Sequence, residues 1–220
     1  MGRRYKLVIF DIDGTITRHI SSWRYIHERL GLWDVLAHKY QEQFSQGKIS
    51  YRRFCELDAA HWRGIKVATM RRIFREIPYS KNVVPCIRYL KARGFRLVAV
   101  STGIQFITER VERELDFDCV IGNQLISKEG VLTGGVKIRI GHGSKGTLVD
   151  TIAGRFNVKP REMICVGDSD GDVPLARRCG FSIAFNCTSA KLERAADYVC
   201  RTKDFNEIKR AVQKLIGEEV

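Results

Sequence analysis

The spacing of apolar residues divides the chain into a helical stretch and a region where strands and helices alternate. Residues 8–10 are β-branched or aromatic and predict a short buried strand that ends where Asp11 begins. Between about residues 17 and 77 the apolar positions recur at helical spacing, and no segment has a convincing strand pattern. The helical positions include Trp23, Ile26 and Leu30, then Val35, Leu36 and Tyr40. We therefore expect a helical insertion directly after the first strand.

From residue 82 onward the two patterns alternate. Helices are predicted over about 82–93, from 105, over 145–156, from 173 and at the carboxyl end. Strands are predicted at 97–100, 120–121, 163–166 and 182–185. Residues 125–133 contain two β-prone pieces around a Lys-Glu-Gly turn and predict a hairpin. This alternation is typical of an α/β fold whose parallel sheet is covered by helices, here with a helical cap.

Composition places the chain among ordinary globular proteins. Hydrophobic residues make up 44% of its 220 residues and charged residues 29%. No apolar run approaches the roughly 20 residues that span a bilayer. The first apolar run is short and meets Asp11 and Asp13 at once, unlike a signal peptide, so we expect a cytoplasmic protein with no membrane partner. The seven cysteines are scattered without a Cys-x-x-Cys pair, which favours reduced thiols.

The formal net charge of +13 raises the question of an anionic partner. Nucleic acid, an anionic lipid surface and an acidic substrate are each compatible with such a charge. Lys and Arg are spread along the chain rather than gathered in a tail, and this distribution favours a solvated basic surface. The charge by itself therefore assigns no function.

Two carboxylates follow the first predicted strand. Asp11 and Asp13 stand two residues apart, and residues i and i+2 share a face in extended backbone. Both would face the crevice beyond the carboxyl end of the strand, where ligands bind in open α/β sheets. An aspartate that transfers a phosphoryl group, with a partner that handles the proton, needs this arrangement. An Asp-Gly turn that only closes the strand explains the same residues.

Two further segments have the composition of a phosphate site. Ser101, Thr102 and Gly103 follow the second core strand and precede a helix, so a hydroxyl and the first helix amides would form an anion cradle. Lys145 stands in a Gly-rich turn near another helix start and would neutralise a phosphate. Each segment also has a simpler explanation: Ser101 or Thr102 as a helix cap, and Lys145 as an exposed lysine.

The strand predicted at 163–166 ends in an acidic cluster that contains Asp168, Asp170 and Asp172. Carboxylate oxygens suit a hard cation, and magnesium bound by few protein carboxylates is typical of phosphate chemistry. The segment lacks the spacing and the terminal Glu of a calcium loop. We therefore expect Mg²⁺ as the cofactor.

The order of these segments resembles the haloacid dehalogenase superfamily. The resemblance covers Asp11 to Asp172 and includes the helical insertion, which is similar to that family's cap. Within the superfamily, the phosphoserine phosphatase branch is the most similar, because residues 122–126 and 132–134 are similar to its hairpin segment. The resemblance implies a Rossmann-like α/β core domain formed by residues 1–16 and 78–220, and a small helical cap domain formed by residues 17–77.

The resemblance also implies a mechanism. Asp11 would attack phosphorus and form an aspartyl-phosphate. Asp13 would protonate the leaving alcohol and then deprotonate the water that hydrolyses the intermediate. Magnesium would lie between the Asp11 carboxylate, the Asp13 backbone carbonyl and Asp168.

The implied phosphate-binding residues are Ser101, Thr102, Gly103 and Lys145. Asp172 would hold Lys145 or a water at the metal. The match is imperfect at this end, because the branch often has Asn where this chain has Gly171. Asp170 is an additional carboxylate, for which we expect an exposed position or an indirect role.

The cap would select the phosphoester, and here the chain departs from the branch. Phosphoserine phosphatases resemble one another in a Glu for the substrate amine and an Arg for its carboxylate, where this chain has Ile20 and Asp58. Ile20 cannot hold an ammonium group, and Asp58 would repel a carboxylate. We therefore expect a small phosphorylated metabolite other than phosphoserine. The candidate substrate contacts are His19, Trp23, Arg52, Arg53, His61 and Trp62.

Several of these assignments have alternatives. Trp23 also fits a core anchor of its helix, and Arg52 and Arg53 also fit a solvated helix face. Phosphoserine phosphatase stays an alternative function, and a phosphotransferase or mutase would pass the phosphoryl group from the same aspartate to an alcohol. A basic nucleic-acid-binding module would explain the charge alone and is the weakest alternative, because it has no need of Asp11. No pattern indicates the oligomeric state.

Overall fold

The fold is built on a seven-stranded sheet in a computed structural model that describes residues 4–33 and 37–218. The sheet has the order β4-β3-β2-β1-β5-β6-β7, and each pair of neighbours is parallel except β3 with β4. The strands are β1 (Leu7–Phe10), β2 (Arg96–Ile104), β3 (Cys119–Lys128), β4 (Val131–Lys137), β5 (Met163–Gly167), β6 (Phe181–Ala184) and β7 (Tyr198–Val199). The predicted α/β fold with a mostly parallel sheet is confirmed.

Helices flank the sheet and precede most of its strands. They are α1 (Ser22–Arg29), α2 (His38–Ser45), α3 (Tyr51–His61), α4 (Val67–Arg75), α5 (Val83–Ala92), α6 (Gln105–Leu115), α7 (Leu148–Phe156), α8 (Val173–Ala176), α9 (Ala190–Ala195) and α10 (Phe205–Leu215). Among the described residues, no helix has the length and apolar character needed to cross a membrane. All seven cysteines are free thiols, as predicted.

The central strands are buried on both faces. In β1, Val8 and Phe10 belong to one hydrophobic cluster, whereas Leu7 and Ile9 belong to a second cluster on the opposite face. This alternation explains why the strand is a continuous apolar run, as parallel strands covered by helices usually are. The carboxyl ends of these rigid strands are therefore a firm support for the polar residues that follow them.

The segment between β1 and β2 is helical, as predicted: residues 17–33 and 37–77 contain α1 to α4 and no strand. Its side chains join the sheet's core, since Ile26, Phe54 and Met70 lie in the same cluster as Phe10. The predicted helical positions Val35 and Leu36 lie outside the described residues. The division into a core and a cap at residues 17 and 77 stays a prediction.

Backbone hydrogen bonds join the turn after α3 to the β3–β4 hairpin. The Gly64 amide donates to the Leu132 carbonyl at 2.9 Å, and the Leu132 amide donates to the Ile65 carbonyl at 2.9 Å. The Val67 amide donates to the Gly130 carbonyl at 2.8 Å. The hairpin therefore fastens the turn between α3 and α4 to the sheet.

Several element bounds differ from the prediction. Strands β2 and β3 are longer than the apolar runs that predicted them, because β2 continues past Val100 to Ile104 and β3 continues into the hairpin. Residues 145–147 form a 3₁₀ turn before α7 rather than the first turn of an α-helix. Strand β7 was not predicted, since it has two residues and lies at the edge of the sheet.

Candidate active site

Three neighbouring strands bring the predicted polar residues to one edge of the sheet. Asp11 follows β1, Ser101 lies near the end of β2, and Asp168 follows β5. Because β2, β1 and β5 are adjacent and parallel, their carboxyl ends share one edge. The Asp11 amide donates to the Val166 carbonyl at 2.9 Å, which fixes the turn against β5. These residues therefore meet at the position that ligands occupy in open α/β sheets.

Lys145 lies at the centre of this edge. It is only 2% exposed, so its interpretation as a surface lysine is wrong. Its Nζ lies 2.7 Å from Asp11 Oδ1 and 2.7 Å from Asp172 Oδ1. Burial alone would lower the pKa of Lys145, but the two carboxylates outweigh burial and raise it. A fixed positive charge therefore stands beside the Asp11 carboxylate.

Asp11 itself is 4% exposed. Burial raises the pKa of its carboxyl to about 7, and the charge of Lys145 only partly opposes this rise. Removing the side chain from water without full compensation keeps this carboxylate poorly solvated. An electrophile or a cation at this edge would therefore be its natural partner.

Asp168 has no partner for either carboxylate oxygen among the described residues. Burial, followed by the charges of Asp11 and Asp172, raises the pKa of Asp168 to about 10. Oxygen atoms of these three aspartates lie within 4.8 Å of one another. Bare, buried oxygens at this spacing fit a hard divalent cation.

Asp172 has a different role in this acidic group. Its Oδ1 contacts Lys145, and its Oδ2 accepts hydrogen bonds from the amides of Asp168 and Ser169 at 3.1 and 3.2 Å. Both oxygens are thus already engaged, which leaves those of Asp11 and Asp168 for a cation. Asp170 is exposed and pairs with Lys191 at 2.9 Å, as expected for a residue outside this group.

Asp13 faces the same edge from the turn after β1. Its Oδ2 accepts a hydrogen bond from Ser22 Oγ at 2.7 Å, and its Oδ1 is buried without a partner in the described ranges. Burial raises the pKa of Asp13, while the Ser22 hydrogen bond opposes the rise. Asp13 is therefore disposed to carry and release a proton beside Asp11.

Gly103 lies where these groups converge. A Cβ at this position would lie 2.7 Å from Ser22 Oγ, 2.8 Å from Asp13 Oδ2 and 2.9 Å from Ser101 Oγ. The Gly103 amide donates to Ser101 Oγ at 2.8 Å. Only glycine leaves room here for the backbone to approach Asp13 so closely.

Thr102 contributes its backbone carbonyl to the link between the end of β2 and the helical segment. The carbonyl accepts hydrogen bonds from Trp23 Nε1 at 3.0 Å, Tyr51 Oη at 3.0 Å and Asn123 Nδ2 at 2.9 Å. These donors come from α1, α3 and β3. The end of β2, which carries Ser101, is thus held in place by three elements.

The candidate substrate contacts separate into three groups by burial. Trp23 and Trp62 are buried and stack with ring centroids 5.3 Å apart, and Trp23 contacts Thr102 at the end of β2. His19 and His61 are half-buried, with their rings against Tyr25 and Tyr40. Arg52 and Arg53 are exposed on α3, as their alternative interpretation expected.

The two positions that depart from the phosphoserine phosphatase pattern have contrasting environments. Ile20 is 64% exposed, whereas Asp58 is 2% exposed. Asp58 Oδ1 lies 3.3 Å from His27 Nε2, and the imidazole is fully buried. Burial raises the pKa of Asp58, and the imidazole beside it opposes the rise.

Four residues near the site were missed by the sequence prediction: Ser22, His27, Tyr51 and Asn123. Ser22 could have been found from the sequence. Two serines stand at the start of a predicted helix, and only one of them is needed to cap it. Ser21 is that cap and accepts from the Arg24 amide, so Ser22 is left for Asp13. The others act through contacts between distant segments, which local spacing does not reveal.

Comparison with known proteins identifies the family. The family model for haloacid dehalogenase-like hydrolases matches residues 8–177. Phosphoserine phosphatase from Archaeoglobus fulgidus is 30% identical over 185 residues, which are 84% of this chain but only 53% of that protein. The enzyme of the same name from Idiomarina loihiensis is 30% identical over 203 residues, covering 92% of this chain and 91% of the relative.

Solved structures support the same fold. A phosphoserine phosphatase determined as a phospho-aspartyl intermediate analogue superposes with a TM-score of 0.82 at 23% identity, covering 95% of this chain and 99% of that one. A hydrolase of the same family from Salmonella enterica superposes with a TM-score of 0.87 at 20% identity, covering 98% of this chain and 72% of that one. At these identities the likeness establishes the fold. Together with the family match, it shows that the chain belongs to the haloacid dehalogenase-like hydrolase family and is a phosphatase of that family.

Proposed function

We propose that this phosphatase hydrolyses phosphomonoesters of small metabolites with Mg²⁺ and through an aspartyl-phosphate on Asp11. The observation that carries the proposal is the buried Asp11 carboxylate, which lies beside the Lys145 ammonium and the bare oxygens of Asp168. A carboxylate nucleophile, a fixed cation and a metal ligand are the groups that phosphoryl transfer requires.

In the first step Asp11 attacks phosphorus and the ester oxygen leaves. Lys145 offsets negative charge on the phosphoryl oxygens, and Ser101, Thr102 and Gly103 at the end of β2 also bind them. Asp13 donates its proton to the leaving oxygen. In the second step Asp13 takes a proton from the water that attacks the phosphoryl group on Asp11 and releases phosphate.

Ser22 orients Asp13 for these proton transfers. Replacement of Ser22 by Ala is expected to lower kcat about tenfold, because a hydrogen bond to a charged group is lost. Ser21→Ala is the matched control: it removes the cap of α1 and should cost about 1 kcal/mol of stability without this loss of kcat. Equal kcat in the two variants would contradict the role of Ser22.

Asp11, Asp168 and the Asp13 backbone carbonyl would hold the magnesium ion. When bound, Mg²⁺ supplies positive charge that polarises the phosphoryl group and orients it toward Asp11. The fit rests on the orphaned Asp168 oxygens and on the oxygen-only donor set.

The raised carboxyl pKa values predict a pH-dependent effect of magnesium. The carboxyls of Asp11 and Asp168, with pKa values of about 7 and about 10, hold protons in the folded chain that they lose at lower pH when unfolded. The stability of the metal-free protein should therefore fall as pH rises from about 4, the pKa of an unfolded carboxyl, through these folded values. Mg²⁺ binds the ionised carboxylates, so it should raise Tm more at about pH 8.5 than at about pH 6. Thermal unfolding with and without MgCl₂ measures this. A shift that is equal at both pH values, or that survives Asp168→Asn, would contradict the site.

Gly14 makes room for Asp168. A Cβ at Gly14 would lie 2.3 Å from Asp168 Oδ2, and φ is +81°. Gly14→Ala is expected to lower kcat/KM about 100-fold, because the carboxylate must move. Gly47→Ala is the matched control, because Gly47 has a similar φ of +70° but a Cβ there would meet nothing within 4 Å. This variant should lose about 1–2 kcal/mol of stability to the same backbone strain and keep its activity. Parallel activity and unfolding measurements separate the two effects.

The identity of the ester has support on two sides. The relatives are named phosphoserine phosphatases, and these names support phosphoserine rather than another ester. The exposed Ile20 and the buried Asp58 support the other ester, because neither provides the partner that an ammonium or a carboxylate group needs. Both candidates use the same chemistry at Asp11.

A phosphate-release assay across phosphomonoesters tests the proposed function. We expect Mg²⁺-dependent release by the wild-type protein from at least one small ester, with phosphoserine included in the panel. Phosphoserine as the best substrate by kcat/KM would establish the first candidate. Transfer of phosphate to added alcohols instead of water would contradict hydrolysis as the reaction.

A further inference from the structure

Four buried polar atoms lie between α1 and α3 with incomplete hydrogen bonding. His27 Nδ1 and Trp62 Nε1 have no partner within residues 4–33 and 37–218, and His27 Nε2 and Asp58 Oδ1 have only each other, 3.3 Å apart. The three side chains are at most 2% exposed. Orphaned donors and acceptors at this depth are costly, and a native protein retains them where a ligand or an ordered water supplies the missing bonds. We call these three residues the cap triad.

The cap triad adjoins the end of β2, where Ser101, Thr102 and Gly103 lie. Trp23 and His27 are four residues apart on α1, so they share one face of that helix. The Trp62 ring lies 4.8 Å from the His27 ring and 5.3 Å from the Trp23 ring, centroid to centroid. Trp23 in turn donates to the Thr102 carbonyl. One aromatic side chain thus separates the cap triad from the end of β2 that carries Ser101.

The chemistry of the cap triad selects among head groups. An ammonium group only donates hydrogen bonds and cannot satisfy the Trp62 N–H, whereas a carboxylate only accepts and would be repelled by Asp58. A hydroxyl group can do both: it can accept from Trp62 Nε1 and donate to a free lone pair of Asp58 Oδ1. The imidazole of His27, 3.3 Å from Asp58 Oδ1, provides a donor or an acceptor according to its tautomer.

We infer that the cap triad is a substrate-recognition site for hydroxyl groups, and that the substrates of this enzyme are phosphomonoesters of neutral polyhydroxylated alcohols such as polyols or sugars. The inference rests on the proposed function and names the substrate class of the same site. It assigns specificity to Asp58, Trp62 and His27 through hydrogen bonds, without an ion pair to the head group.

The test compares kcat/KM for ribitol phosphate, glycerol phosphate, phosphoserine, phosphocholine and ethyl phosphate. We expect ribitol or glycerol phosphate to exceed ethyl phosphate, which has no hydroxyl group, by about tenfold or more, and to exceed phosphoserine. Trp62→Phe keeps a ring and removes the N–H, and Asp58→Asn keeps the shape. Each should lower the ratio of ribitol phosphate to ethyl phosphate about 10-fold. Tyr198→Phe is the control and should leave this ratio unchanged, since it removes a polar group from an exposed ring on the edge strand β7, away from the cap triad.

The outcomes separate this inference from the proposed function. A preference for phosphoserine, or an unchanged ratio in Trp62→Phe and Asp58→Asn, would overturn the inference and assign the orphaned atoms to a buried water. Hydrolysis of ethyl phosphate would still uphold the proposed function in that case. Absence of Mg²⁺-dependent release from every ester would overturn both. Far-UV circular dichroism and Tm of each variant establish that the ratio is measured on folded protein.

Discussion

Replacement of Asp11 by Asn is expected to abolish Mg²⁺-dependent phosphate release, lowering kcat by about 10⁴-fold or more. An amide has the shape of the carboxylate but does not attack phosphorus, so no covalent intermediate forms. The fold should persist, because Lys145 keeps its contact with Asp172 at 2.7 Å. Burial raises the pKa of Asp11 to about 7, so the ionised carboxylate is itself unfavourable at this position. A neutral side chain should therefore not lower the stability of the fold at about pH 8.

The measurement is phosphate release by wild type and Asp11→Asn, with mass spectrometry of acid-quenched protein to detect the phosphoryl group on the wild-type chain. Asp170→Asn is the matched control, because Asp170 lies in the same acidic segment but is exposed and pairs with Lys191. It should keep activity within a few-fold of wild type. Release by Asp11→Asn within tenfold of wild type would refute the nucleophile.

Replacement of Lys145 by Met is expected to lower kcat/KM by about 10²–10³-fold. Methionine retains much of the side-chain length but brings no charge to the phosphoryl oxygens. The change also leaves the buried Asp11 and Asp172 carboxylates without their shared cation. At about pH 8 the free energy of unfolding should fall by about 3–5 kcal/mol, because one partner of a buried charge cluster is missing.

Mg²⁺ should restore part of this lost stability in Lys145→Met but not the lost activity. A bound ion would supply positive charge beside Asp11, but it would not replace the charge that the ammonium group brings to the phosphoryl oxygens. Chemical denaturation with and without MgCl₂ measures the first effect and steady-state kinetics the second. Lys128→Met, at an exposed lysine on the hairpin, is the control and should change neither. A Lys145→Met enzyme with wild-type kcat/KM would refute the assignment.

Most of the fold could be predicted from the sequence because its central strands are buried on both faces. Residues 8–10 and 163–166 form continuous apolar runs, and each run is followed by acidic residues at the same edge of the sheet. Strand β7 could not be predicted, since Tyr198 and Val199 are partly exposed at the sheet edge and pair with β6 alone. Local periodicity carries no signal for so short an edge strand.

The site was predictable where it follows a strand and unpredictable where distant segments meet. Lys145 alone resembles any surface lysine, and its burial results from the contacts with Asp11 and Asp172 across the fold. Asp58 could be identified as a departure from a family pattern, but its contact with His27 joins α3 to α1 and leaves no trace in local spacing. Residue type therefore indicated the chemistry, and tertiary packing determined which residues perform it.

The backbone bonds between the turn after α3 and the hairpin limit how this enzyme can be re-engineered. The helical segment spans a single stretch of sequence, which invites its exchange with the corresponding segment of a relative to transfer specificity. Its Gly64 and Val67 amides, however, donate to Leu132 and Gly130, which lie outside that stretch. A chimera that exchanges residues 17–77 alone would pair a foreign turn with a native hairpin. A functional graft must carry the β3–β4 hairpin with it, so the transferable unit is discontinuous in sequence.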